Sequence, residues 1–189
     1  MVLSAGTRLR QSPLAVIVLA QVCGTSLWFS INGVWLSLSQ ELGLTENDLG
    51  ALTLAVQAGF IIGTLTLAVT GLADRFPASR IFATASVLGA LINASFALFA
   101  ADAPFNLLLR FLTGLCLAGI YPLGMKLVIS WTPQQTGAAL SWLVGMLTLG
   151  TALPHLLLGA SFELPWQWPL LGASVLALIG GGLVLQLGD

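Results

Sequence analysis

Gly71-Leu72-Ala73-Asp74-Arg75-Phe76-Pro77-Ala78-Ser79-Arg80 is a polar stretch set between two charge-free apolar runs, and its reading decides the fold. A turn of this composition joins two membrane-spanning helices on the side that retains basic residues. Asp74 falls just past the preceding helix, near the negative end of its dipole, where a carboxylate needs a cation or another helix's N-terminus beside it. Arg75 and Arg80 are the nearest candidates in sequence. Two readings stand: a topogenic loop that carries charge to the cytoplasmic side, or a charged latch between helices that changes with conformational state.

Working outward, the composition agrees with a bilayer setting. Hydrophobic residues make up 57% of the 189-residue chain and charged residues 7%, against roughly 45–50% and 25% in a soluble domain; mean hydropathy is +0.98. At about 20 apolar residues per span, the chain is one domain, residues 1–189, of six transmembrane helices. They are expected at about 14–38, 49–70, 81–101, 107–131, 137–159 and 169–187. Six basic and seven acidic residues leave almost no net charge, so nucleic acid is excluded as a partner. Cys23 and Cys116 both lie in apolar runs, where a thiol is a small hydrophobe. No serine nucleophile has a matched histidine, and no paired aspartates or metal-ligand spacing occur, which argues against an enzyme, a metal or a cofactor. Arg8, Arg10, Arg75 and Arg80 all fall in segments on one side, so both termini are expected in the cytoplasm.

Within the spans, polar residues are patterned. Gln21, Thr25, Trp28 and Asn32 recur at steps of four, three and four, within about 40° on one helical face. That face either lines a water-filled cavity or glues helices together. Thr45 to Asp48 reads as the N-cap of the second span, which carries Gly59 and Gly63 as a small-residue pair and Gln57 and Thr64 as polar points. The third span, with only Thr84, Ser86, Asn93 and Ser95 as polar content, reads as peripheral. Arg110 lies about five residues inside the fourth span; an intramembrane cation is a functional-site candidate, with snorkelling to the interface as the other reading. Gly114, Leu117 and Tyr121 share its face, whereas Lys126 points away as a headgroup anchor beyond a kink at Pro122. In the fifth span Ser141, Gly145, Thr148, Ala152, His155 and Gly159 form a stripe of small residues, bent at Pro154. It reads as a close seam with another helix, with His155 either an interfacial hydrogen-bonding group or a proton carrier. Glu163, Trp166 and Trp168 form an aromatic-belt loop before the last, almost purely apolar span.

These residues resemble the N-terminal six-helix half of a major facilitator superfamily transporter. Gly71, Asp74, Arg75 and Arg80 resemble that family's signature loop between helices two and three, although Thr70, Pro77 and Ala78 stand where the motif usually has glycine, glycine and a basic residue. Arg110 with Gly114 resembles its fourth-helix motif, and Gly145, Gly150, Pro154 and Gly159 its fifth-helix motif. The resemblance implies an all-α membrane protein of two inverted three-helix repeats, half of the full fold, in a plasma membrane such as the bacterial inner membrane. It further implies a small polar or anionic solute, a cavity lined by Gln21, Thr25, Trp28, Asn32, Gln57, Arg110 and Tyr121, and a helix-five interface at Gly145, Gly150, Pro154, His155 and Gly159. A second six-helix half, from a homodimer or a separate chain, would complete it. The competing class is a non-transporting scaffold, an assembly subunit or an inert half-transporter fragment.

Overall fold

Lipid offers no partner for backbone N–H and C=O groups, so each apolar run satisfies its own hydrogen bonds by coiling into a helix. The computed structural model describes residues 12–160 and 165–189, whose regular structure is entirely helical. Helix α1 spans Pro13–Phe29 and begins with proline, whose missing N–H costs nothing in the first turn. A 3-10 turn, Asn32–Val34, and α2, Trp35–Leu42, continue it after a bend of 50°. Then follow α3 (Glu46–Thr70), the single turn α4 (Leu72–Arg75), α5 (Ala78–Phe99), α6 (Ala103–Trp131), α7 (Thr136–Ala160) and α8 (Gln167–Leu187). By length and composition α3, α5, α6 and α8 each suffice to cross a membrane, and the bent pair α1 and α2 makes a fifth such span. α7 runs for 25 residues and is apolar over Thr136–Thr148. Arg8, Arg10 and Glu163 lie outside the described residues.

Local chemistry sets the ends. Thr45 donates from its backbone N–H and hydroxyl to the Asp48 carboxylate, at 2.7 and 2.8 Å, as expected of an N-cap. Gly71 closes α3 in the left-handed region at φ 63°, which a residue with a Cβ enters at a cost.

Packing centres on α6, which lies against α1, α3 and α5, while α8 packs on α1 and α5, and α7 on α1. The α3–α6 crossing is backbone on backbone. A methyl at Gly59 would sit 2.0 Å from the Phe111 carbonyl oxygen, and one at Gly114 2.0 Å from that of Val56. Gly59 and Gly63 are therefore the seam predicted for them, with Gly114 as the facing glycine.

Two expectations change. The first span is broken rather than continuous over 14–38, because Asn32 and Gly33 are poor helix formers and the carbonyls freed at the break find partners elsewhere in the bundle. The third span carries a buried polar centre: Asn93, fully buried on α5, donates to the Leu170 carbonyl at 2.8 Å and Ser174 Oγ at 3.0 Å, and accepts from Ser30 Oγ at 3.0 Å. This node ties α5 to α8 and to the end of α1. The apolar core around it includes Phe82, Phe96, Leu117, Ile120 and Ala177.

Candidate functional site

The break in α1 builds the site. At the end of a helix the last carbonyls have no intrahelical donor and carry the negative pole of the dipole. Arg110, about 10 Å into α6 at 1.5 Å per residue, supplies the cation: Nη1 donates to the Leu27 carbonyl at 3.3 Å and Nη2 to that of Trp28 at 2.9 Å. Its side chain is 2% exposed, and Nε–H has no partner among the described residues. Where α1 turns away, a cavity of about 210 Å3 opens, lined by Trp28, Phe29, Ile31, Asn32, Leu52, Thr53, Val56, Gln57 and Arg110. Pockets for drug-sized ligands run to about 300–1,000 Å3; this one has room for a small solute or one end of a larger one. Trp28 stacks obliquely on Phe60 at 4.8 Å, and Phe60 meets the edge of Tyr121 at 6.4 Å, so an aromatic row leads away from the cavity.

Of the predicted cavity residues, the structure brings Trp28, Asn32, Gln57 and Arg110 to one pocket and sets Tyr121 at the end of the aromatic row. Gln21 and Thr25 do not line it. Thr25 Oγ1 donates to the Gln21 carbonyl at 2.7 Å, and the Gln21 side chain is pressed against Gly124, where a methyl would lie 1.8 Å from Oε1. A single face of α1 thus meets packed helix at one depth and open space at another. The Gln21 amide has no hydrogen-bond partner among the described residues.

At the other end of the bundle, Lys126 Nζ lies 2.8 Å from Asp74 Oδ1 and also donates to the Ala73 carbonyl. Asp74 therefore pairs with α6 rather than with Arg75 or Arg80. Lys126 is a tether and not the headgroup anchor that phase arithmetic gave; Pro122, inside the continuous helix four residues earlier, removes one N–H from the backbone ladder. Asp189 accepts the backbone N–H groups of Ala78 at 2.8 Å and Ser79 at 2.7 Å, capping the positive end of α5. Trp131 Nε1 donates to the Gly188 carbonyl at 3.3 Å. These contacts join the α3–α5 loop, α6 and the end of α8 into one clasp. The hydrogen bond and charge of Lys126 hold the Asp74 carboxyl below the usual range. Burial alone would raise Asp189, but hydrogen bonds from Ser79 and Ala78, with the Lys126 charge, bring it below the usual range too.

Gly71 turns the chain into this clasp, while Arg75 and Arg80 are exposed. Gly145 lies on an exposed face of α7 with nothing within 4 Å of an added methyl. Gly150, Pro154, His155 and Gly159 lie outside the described residues as far as side chains are concerned. Sequence reasoning missed Asn93, Asp189 and the tethering role of Lys126. Asn93 carried a signal, as an amide in a span otherwise holding only hydroxyl groups.

A family model described as the Major Facilitator Superfamily matches residues 17–187. None of the curated proteins compared with the chain matches it. With that match covering well over half of its length, the chain belongs to the major facilitator superfamily of secondary transporters and is an integral, multi-pass membrane protein.

Proposed function

We propose that the chain forms a six-helix half of a secondary transporter that moves a small polar or anionic solute by alternating access against a second six-helix body. The observation that carries this reading is the cavity at the break of α1, where Arg110, Asn32, Gln57 and Trp28 converge. Arg110 keeps its positive charge at any physiological pH, and no carboxylate among the described residues lines the cavity to neutralise it. Asn32 and Gln57 are exposed and make no side-chain hydrogen bond among the described residues, which leaves both amides free for a solute.

The packing pattern supports two inverted three-helix repeats. With α1, α3 and α5 as one set and α6, α7 and α8 as the other, α3 on α6 corresponds to α7 on α1, and α5 on α6 to α8 on α1. The pairs α1–α6 and α5–α8 are their own counterparts, as an axis between the sets requires. Exposed Leu54, Ile61 and Leu65 on α3, with Trp142 and Gly145 on α7, offer the faces against which a second body, from another copy or a separate chain, would rock. The Asp74–Lys126 clasp favours the latch reading of the signature loop.

The test is solute uptake into proteoliposomes by the assembled transporter. Asn32→Ala and Gln57→Ala each remove one uncommitted amide, and KM for the solute is expected to rise about tenfold, the equivalent of about 1.4 kcal/mol. Uptake of every accepted solute at unchanged KM in both variants would overturn the assignment of the cavity.

A further inference from the structure

α3 and α5 both pack on α6, yet they do not form a substantial seam with each other. The space between them is an open lateral groove of about 530 Å3, floored by Leu115 and Cys116 of α6 and walled by Leu67 of α3 and Leu88 of α5. The loop that joins the two helices roofs one end with Phe76, and among the described residues the rim there carries a single charged group, Arg80. From Arg80 to Leu88 the groove runs about 12 Å along α5 at 1.5 Å per residue, inward from the basic end of the bundle. Its lining is otherwise apolar apart from the Thr84 hydroxyl and the Cys116 thiol.

We propose that this groove is a binding site for one anionic phospholipid of the cytoplasmic leaflet, with its phosphate on the Arg80 guanidinium and an acyl chain between α3 and α5. The match is one of charge and shape. Arg80 is exposed, and no carboxylate among the described residues lies within ion-pair distance of it. The nearby acids are engaged: Asp74 by Lys126, and Asp189 by the N-terminus of α5. A guanidinium at the rim of an apolar slot offers a phosphodiester two parallel donors while the chain below it stays out of water. Anionic headgroups are also attracted to basic residues on this face of a membrane. A lipid seated there fills the gap beneath the signature loop and so props α3 apart from α5.

Native mass spectrometry of the purified full chain, loaded with phosphatidylglycerol or phosphatidylcholine, tests the site. Wild-type protein is expected to retain one phosphatidylglycerol about fivefold more strongly than phosphatidylcholine, the factor given by about 1 kcal/mol per basic residue. Arg80→Gln should abolish that preference, and Thr84→Trp, which fills the slot from an exposed position, should lower retention of both lipids. In the same samples, phosphatidylglycerol should slow alkylation of Cys116 in the wild-type protein, a readout that does not depend on either variant folding. Equal retention of the two lipids by wild type, an undiminished preference in Arg80→Gln, or Cys116 alkylation indifferent to phosphatidylglycerol would each overturn the proposal.

Discussion

Arg110 shows how one side chain carries both structure and function. Two of its donors hold the Leu27 and Trp28 carbonyls; Leu27 also accepts from Ser30 Oγ at 3.1 Å, so removal of Arg110 takes the side-chain donor from the Trp28 carbonyl and one of two from Leu27. Arg110→Ala is expected to destabilise the protein by about 1.5–3 kcal/mol, read as a lower thermal midpoint in detergent, whereas Asn32→Ala should change stability by less than about 0.5 kcal/mol. Equal losses in the two variants would contradict the capping role. The clasp makes a pH prediction. Asp74 and Asp189 have depressed folded-state pKa values, so their contribution is fully present above the ordinary carboxylate range and is lost as pH falls through the folded values. Protection of the backbone amides of residues 71–76, taken relative to their intrinsic exchange rates at each pH, should therefore be high at neutral pH and fall below about pH 4; Asp74→Asn should give low protection at both. The sequence made Arg110 legible as an intramembrane cation but not its partners, because the break that frees those carbonyls is itself stabilised from another helix.

At the level of elements, the informative contrast is between glycines. Gly114 and Gly59 sit where two backbones touch, whereas Gly145 faces open space. Gly114→Ala should cost about 1–3 kcal/mol through overpacking, and Gly145→Ala nothing measurable in the isolated chain; comparison of their unfolding midpoints checks this. The Gly59–Gly63 spacing was readable because small residues four apart announce a close crossing. Lys126 was not, because a phase count through Pro122 assumes an ideal helix. Gln21 and Thr25 fell to a related assumption, that residues aligned on one face share one environment along its whole length. In α5 the single amide Asn93 outweighs an otherwise apolar composition, for a buried amide must find donors and acceptors, and here it draws three helices together.

For the molecule as a whole, charge and polarity are sorted by position. Arg75, Arg80 and Lys126 gather at the clasp end, while Glu41, which accepts from Trp166 Nε1 at 2.9 Å, and Glu46, which accepts from Trp35 Nε1 at 3.1 Å, lie with Asp102 at the other. The bias of basic residues toward the cytoplasm favours the proposed orientation, with the clasp end inward. The family was legible because several short motifs stood in the right order along nearly the whole chain, a constraint far stronger than any one of them. The bent first span and the groove between α3 and α5 were not, since each depends on how helices distant in sequence meet. The central claim is that water reaches the break in α1 beside Arg110, and the most direct measurement is thiol accessibility in the assembled protein in membranes. With Cys23 and Cys116 replaced by serine, Asn32→Cys and Gln57→Cys should react with a water-soluble, membrane-impermeant maleimide and be protected by transported solute. If only a lipid-soluble reagent modifies these two positions, the cavity is no aqueous pathway and the account is contradicted.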